Sequence, residues 1–244
     1  MAGAGCTAGG GPIRWFDTVG KIPYSDLVCP FLRRNTPIER VAMLECEVKF
    51  FIVHPAGLRD RLGQAGALPT GSAFETNYRY EHADNPLLAR QYLLRLRRDG
   101  RNRLTYKKPD PSGGRQFKTY EELEIEVSDF DTTHQILEAL GFQRAQIYEK
   151  HRATYDLASL EVCLDQLPFG HFIEIEGDAE RLPSVAARLG LPWSTRILAN
   201  YLQIFETIRE ALQLPFNDVT FADFKTVRAD LTGLIRQFEI EPPS

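Results

Sequence analysis

The chain has 244 residues, 29 Lys and Arg against 33 Asp and Glu, and a formal net charge of −4. No apolar run approaches the roughly 18 to 20 residues that cross a bilayer as a helix, and no basic stretch followed by an apolar core marks a secretory signal. The slight acidic excess argues against a general nucleic-acid binder, whose affinity rests on surplus Lys and Arg.

Residues 1–42 begin Gly- and Ala-rich and show neither a helical nor a strand period, so they are read as an irregular, disordered leader. Gly3-Ala4-Gly5-Cys6-Thr7-Ala8 matches the dinucleotide fingerprint in letters only, because no strand precedes it. Met43 stands two residues before Glu45, and a further expectation is that residues 1–42 extend the native start upstream. A native peptide from 13–33 in mass spectrometry would refute that. The scattered cysteines Cys6, Cys29, Cys46 and Cys163 form no CxxC pair, which fits reduced thiols in a cytosol rather than a disulfide framework or zinc site.

Sharp patterning begins at Met43. Residues 44–53 alternate and are β-prone, hence a strand. Residues 54–68 suggest a short helix around Leu58 and Leu62. Strands follow over 74–80, 92–98, 103–108 and 117–127, with Asp99-Gly100 as a hairpin turn and a loop over 109–114. Asp131 is expected to cap a helix carrying Ile136, Leu137 and Leu140, stopped by Gly141. Strands over 146–155, 160–166 and 172–176 bring the set to about eight, read in meander order as a closed antiparallel barrel. After Gly177 the pattern turns helical: 179–189, then a helix capped by Ser194 with Ile197, Leu198, Tyr201, Leu202, Phe205 and Ile208, then 221–238 with Phe224, Val227, Leu231, Leu234 and Ile235. These stripes are assigned to covering the barrel or to a homodimer face.

The charges carry the functional signal. Residues i, i+2 and i+4 of a strand share a face. Glu45, Glu47 and Lys49 therefore oppose Leu44, Cys46, Val48 and Phe50. Likewise Arg95 and Arg97 share a face, as do Glu122, Glu124 and Glu126, Lys150 and Arg152, and Glu174 and Glu176. Any one strand alone reads as a wet outer face. Together, with apolar helices available to wrap the outside, the charged faces are expected to line the interior. Buried charges need partners or a ligand. Arg forks and Lys ammonium groups suit polyphosphate oxygens, and carboxylates suit the accompanying divalent cation.

The segment Glu45-Cys46-Glu47-Val48-Lys49 is an ExExK pattern. It is followed in order by Leu-Arg-Leu-Arg (94–97), Leu-Thr-Tyr-Lys (104–107), Glu-Leu-Glu-Ile-Glu (122–126), Leu-Gly-Phe (140–142), Glu-Lys-His-Arg (149–152), Leu-Asp (164–165) and Phe-Gly-His-Phe-Ile-Glu-Ile-Glu-Gly (169–177). On these motifs the sequence resembles the CYTH proteins, or triphosphate tunnel metalloenzymes, which include class IV adenylate cyclases and thiamine triphosphatases. The resemblance implies an α+β fold: an eight-stranded antiparallel β-barrel forming a triphosphate tunnel, wrapped by helices. The expected division is a leader over 1–42, a tunnel domain over 43–213 and a C-terminal helical extension over 214–244.

The same resemblance implies Glu45, Glu47, Glu174 and Glu176 as carboxylates for Mg²⁺ or Mn²⁺. Glu124 and Asp165 would serve a metal or an opposing cation, with Glu122 and Glu126 as register alternatives. Arg95, Arg97, Lys107, Lys150 and Arg152 would cradle the phosphates, and Lys49 would contact them or help position the nucleophile. The implied activity is metal-dependent hydrolysis of a triphosphate, or cyclisation of ATP to cyclic AMP and pyrophosphate. The implied partner is a small triphosphate (ATP, tripolyphosphate or thiamine triphosphate) in the cytoplasm, with no nucleic acid and no membrane. A tunnel that binds triphosphate or polyphosphate without turnover is the rival reading. No His-Phe pair precedes ExExK, and no tryptophan is placed to stack a thiamine ring. Trp15 lies in the leader, and Trp193 in the helical tail reads as helix-start packing. Hydrolysis and cyclisation use the same tunnel residues, so both stay open at this point.

Overall fold

The structure, a computed structural model, describes residues 43–110 and 117–240. The leader over 1–42 and the Gly113-Gly114 turn lie outside the described residues. The elements run β1 (Met43–Ile52), α1 (Leu58–Gln64), β2 (Leu68–His82), β3 (Leu93–Arg98), β4 (Asn102–Pro109), β5 (Lys118–Glu126), α2 (Phe130–Ala139), β6 (Phe142–Leu157), β7 (Leu160–Leu167), β8 (Gly170–Gly177), α3 (Leu182–Arg188), β9 (Arg196–Ile197), α4 (Tyr201–Leu212) and α5 (Thr232–Arg236). Among the described residues no helix is long and apolar enough to cross a membrane.

The sheet order is β5-β4-β3-β2-β6-β7-β8-β1-β9, and a β5–β1 pairing closes the first eight strands into an irregular antiparallel ring. The order corrects the simple meander expected from the sequence. Strands β2–β5 and β6–β8 are meanders, but β1 lies between β5 and β8, and β2 pairs with β6. Local turn signals specify each hairpin and are silent on which distant strands close the ring. The first half of β1, Met43 to Glu47, pairs with β5. Beyond that point the two-residue β9 takes over, placing Ile197 and Arg196 opposite Lys49 and Phe50. The edge of β1 thus gains partners for backbone groups that burial would otherwise leave unpaired.

Three apolar clusters pack against the ring. Val48, Phe50, Ile173 and Ile175 pack under Leu58 and Leu62 of α1 and Leu182 and Val185 of α3. Tyr148, Leu167 and Phe172 pack with Ile204, Phe205 and Ile208 of α4 and with Phe224 and Ile235. Tyr80, Leu94 and Leu96 lie with Phe130 and Leu137 of α2. The covering is incomplete, because Leu123 and Ile125 on the outer face of β5 remain about half exposed.

The helices differ from expectation in three places. The cap of α2 is Asp129, not Asp131; its carboxylate accepts from the Thr132 N–H at 2.6 Å. Phe130 and Leu137, two turns apart, are then the buried positions, while Ile136 and Leu140 are exposed. The cap of α4 is Asn200, not Ser194. Asn200 accepts from the Gln203 N–H, and the Gln203 side chain accepts from the Asn200 N–H, both at 2.8 Å. This reciprocal capping box satisfies two orphan helix-start donors. Asn200→Ala is therefore expected to cost about 1 kcal/mol, measured by urea unfolding. Third, 221–238 is not one helix. A short 3-10 turn, Asp223–Thr226, precedes an extended Val227, and α5 begins only at Thr232. Asp230, Thr232 and Gly233 are poor helix-interior residues, and the apolar side chains still reach the α4 cluster.

Candidate functional site

Because facing residues in paired strands share a face, the register lays the charges out around the inside. Glu47 faces Glu176 and Lys49 faces Glu174 across β1 and β8. Glu75 faces Lys150 across β2 and β6, and Arg152 faces Asp165 across β6 and β7. Arg79 faces Arg95, which faces Thr105, which faces Glu124. Lys107 faces Glu122. Lys49, Glu75, Arg95, Arg97, Lys150, Asp165 and Glu174 are all buried. The expected inversion, apolar outside and charged inside, is what these strands adopt.

The buried charges are paired. Lys49 Nζ lies 2.7 Å from Glu174 and 3.9 Å from Glu47. Arg152 grips Asp165 with two bonds, at 2.7 and 2.6 Å, and also bonds Glu174. Lys150 donates to Asp165 at 2.9 Å. Glu75 lies 3.5 Å from Arg97, 3.6 Å from Lys150 and 3.8 Å from Arg152. Arg97 donates to Asn77 at 3.1 Å. Glu124 accepts from Thr105 at 2.7 Å and from Arg103 at 3.2 Å, with Arg95 3.7 Å away. Lys107 pairs with Glu122 at 2.5 Å. Glu126 is exposed, with Arg101 at 3.9 Å.

These pairings set the protonation states. Burial alone would raise Glu75, but Lys150, Arg97, Arg152 and Arg95 together hold its carboxyl well below the usual range. Burial opposes ionisation of Glu174 too, and Lys49, Arg152 and Lys150 outweigh it. Lys49 is raised because Glu174 and Glu47 overcome its desolvation. Lys118 goes the other way: burial, with Lys49 and Lys107 nearby, pulls its ammonium down to about 8 despite Glu47.

Not every donor is used. Among the described residues, buried Arg79 Nε, Arg95 Nε and Lys118 Nζ find no hydrogen-bond partner, although Lys118 Nζ lies 4.0 Å from Glu47. A buried donor left unsatisfied costs about 1–3 kcal/mol.

The interior is reached from two sides. One cavity of about 140 Å³ is lined by Glu47, Lys49, Arg95, Lys107, Lys150 and Glu176, with Tyr92, Tyr120 and Leu202 among its apolar walls. A second, of about 340 Å³, is lined by Glu75, Asp99, Arg101 and Arg103. Arg97 and Arg152 line both, so the two cavities meet on opposite sides of these shared side chains. A larger groove of about 560 Å³ beside Phe74, His151, Gln166 and His171 is also lined by Arg152 and Asp165.

Lys49, Arg95, Arg97, Lys107, Lys150 and Arg152 line one interior cavity with Glu47, Glu174 and Glu176, while Glu126 is exposed. Glu47 and Glu176 face each other; Glu45 is placed on β1 opposite Tyr120. Glu174, Asp165 and Glu124 are each held by cations or their hydrogen bonds. Among the described residues no three His, Cys, Asp or Glu side chains converge on a single point. Two facing carboxylates still offer hard oxygen donors that suit a divalent cation, and like charges set directly opposite are otherwise unfavourable.

Several interior residues were missed by sequence reading. Glu75, Asn77 and Arg79 alternate with Phe74, Thr76 and Tyr78, so strand parity could have found them. Tyr80 continues the outer alternation and is buried in the cluster with Phe130 and Leu137. Lys118 stands at the start of β5 and shares the parity of Glu122, Glu124 and Glu126, so the same rule could have found it. Tyr201 reads as one more apolar residue of a helical stripe, yet its hydroxyl donates to Asp165 at 2.9 Å.

A family model for the CYTH domain matches residues 43–198. The chain is 28% identical over 136 residues to a Methanocaldococcus jannaschii protein named "Putative adenylate cyclase", covering 55% of this chain and 77% of that one. Its fold is similar to that of a "putative adenylate cyclase" from Vibrio parahaemolyticus, with a TM-score of 0.59 at 19% identity over 68% of this chain and 99% of the other. It is also similar to a "Putative adenylyl cyclase" from Hippeastrum described as having a dominant triphosphatase activity, with a TM-score of 0.51 at 20% identity over 67% and 95% of the two chains.

Proposed function

This chain belongs to the CYTH family, and we propose that it is a metal-dependent enzyme acting on a triphosphate inside the ring. The observation that carries the reading is the buried lattice of Arg and Lys with donors to spare, set against two facing carboxylates. Neither an ordinary β-barrel core nor a wet surface needs such an arrangement. The M. jannaschii and Hippeastrum relatives, by their names and description, support the same substrate class.

In this reading Arg95, Arg97, Lys107, Lys150 and Arg152 receive phosphate oxygens, Arg through paired N–H donors and Lys as point charges. Glu75, Asp165 and Glu174 hold those cations in place. Glu47 and Glu176, with Glu45 beside them on β1, are the residues to hold Mg²⁺ or Mn²⁺. A bound divalent ion would supply charge neutralisation at the phosphate oxygens. Lys49, fixed between Glu47 and Glu174, orients the phosphate at which displacement occurs. Tyr92, Tyr120 and Leu202 at one mouth suit a flat organic group on the substrate.

Incubation with Mg²⁺ or Mn²⁺ and ATP, tripolyphosphate or thiamine triphosphate is expected to release phosphate or pyrophosphate, resolved by chromatography. Cyclic AMP together with pyrophosphate identifies a cyclase, and phosphate alone a triphosphatase. Tight binding of these compounds with no product from any of them would instead identify a non-catalytic triphosphate-binding module.

A further inference from the structure

Tyr201 is the first residue of α4 and lies beyond the matched domain, 43–198. Its side chain nevertheless lines the interior cavity together with Lys49, Lys150 and Glu174. The Lys49 ammonium sits over the ring at 4.4 Å from its centroid, and the Lys150 ammonium at 5.5 Å. The hydroxyl donates to Asp165 Oδ2, the same oxygen that accepts from Lys150 and Arg152. The Phe172 ring packs edge-on at 5.1 Å, and the Asn200–Gln203 capping box fixes the helix start. The ring's plane and depth are therefore set from two sides.

We propose that Tyr201 is a positioning residue of the tunnel, presenting the Lys49 and Lys150 ammonium groups to the phosphates and tying them to Asp165, so that α4 is part of the site. This rests on the triphosphate reading above. Two like charges on flexible stems would separate and sample many rotamers. The negative face of one aromatic ring attracts both, and the hydroxyl anchors the carboxylate that holds one of them. The ammonium groups then meet the substrate already oriented and stripped of water, which lowers the ordering cost of binding. A tyrosine serving only as core filler would need neither its hydroxyl bond nor two cations on its face.

The test measures tripolyphosphate binding by calorimetry in Mg²⁺, with thermal unfolding in parallel, for the wild type, Tyr201→Phe and Tyr201→Leu. Tyr201→Phe keeps the ring and is expected to bind within about threefold of wild type. Tyr201→Leu removes ring and hydroxyl and is expected to weaken binding about tenfold, seen in turnover as a raised KM. Where Tyr201→Leu fails to fold, phenylalanines carrying successively more ring fluorines at position 201 replace it. Fluorination drains the ring face with little change of shape, and affinity is expected to fall stepwise. Equal affinity across the fluorinated series, or a folded Tyr201→Leu that binds like wild type, would overturn the proposal. A wild type that binds no tripolyphosphate would overturn the triphosphate reading beneath it.

Discussion

Glu75→Ala is expected to lower the free energy of unfolding by about 3–5 kcal/mol, the range for removing one partner from a buried ionic cluster. The carboxylate is 2% exposed and stands within 4 Å of Arg97, Lys150 and Arg152. Its loss leaves three buried cations sharing Asp165, Glu174 and Asp99 as remaining acids. Urea unfolding measures the effect. The same variant is expected to gain more stability from tripolyphosphate than the wild type does, because a polyanion replaces the missing charge. An equal gain in both would place the phosphates away from this cluster.

The acid limb of the stability profile follows from the same residue. In the unfolded chain the Glu75 carboxyl takes up its proton near its ordinary value of 4.5, whereas in the fold it stays ionised to lower pH. Below that pH the unfolded state binds a proton that the folded state does not. The contribution is therefore complete above about pH 5 and lost progressively as the pH falls toward the folded value. Glu174, also depressed, adds a loss of the same sign. Glu75→Ala is expected to show a shallower fall in stability between about pH 5 and 3 than the wild type. A parallel fall would assign the acid limb to other carboxylates.

Much of this site is legible in sequence because strand parity is a strict period of two. The alternations at Glu45–Lys49, Arg95–Arg97, Lys150–Arg152 and Glu174–Glu176 place charge opposite apolar residues. The apolar stripe of α4, carrying Ile204, Phe205 and Ile208, states where the other face is covered. What parity does not reveal is which strands meet. The β1–β5 and β2–β6 pairings join segments far apart in the chain, with no turn between them to fix a register. The role of Glu75 depends on that pairing, since only β6 beside β2 brings it to Lys150. Tyr201 is hidden for a different reason: an aromatic residue at helical spacing looks the same whether it fills a core or faces two lysines. Helix bounds failed where single capping residues decide them, at Asp129 and Asn200.

Glu47→Gln and Glu176→Gln are expected to separate activity from stability in the direction opposite to Glu75→Ala. The two residues face each other in register across β1 and β8, and removing one negative charge from directly opposed acids relieves repulsion. The fold is then expected to be unchanged or slightly stabilised, even though Lys49 at 3.9 Å and Lys118 at 4.0 Å lose part of their attraction to Glu47 in the Glu47→Gln variant. Turnover is expected to fall about a thousandfold at low Mg²⁺. Metal-ion charge stabilisation is worth several kcal/mol, and each tenfold corresponds to about 1.36 kcal/mol. Part of the loss is expected to return at high Mg²⁺ or Mn²⁺, since a weakened site fills again by mass action. Glu174→Gln provides the contrast. Glu174 is bonded by Lys49 and Arg152, so its loss is expected to lower stability, and added metal should not restore it. Initial rates against metal concentration, with thermal unfolding on the same samples, distinguish the two behaviours. Identical metal dependence in Glu47→Gln, Glu176→Gln and wild type would remove these two carboxylates from the metal-holding role and leave Glu47 as a partner of Lys49 and Lys118.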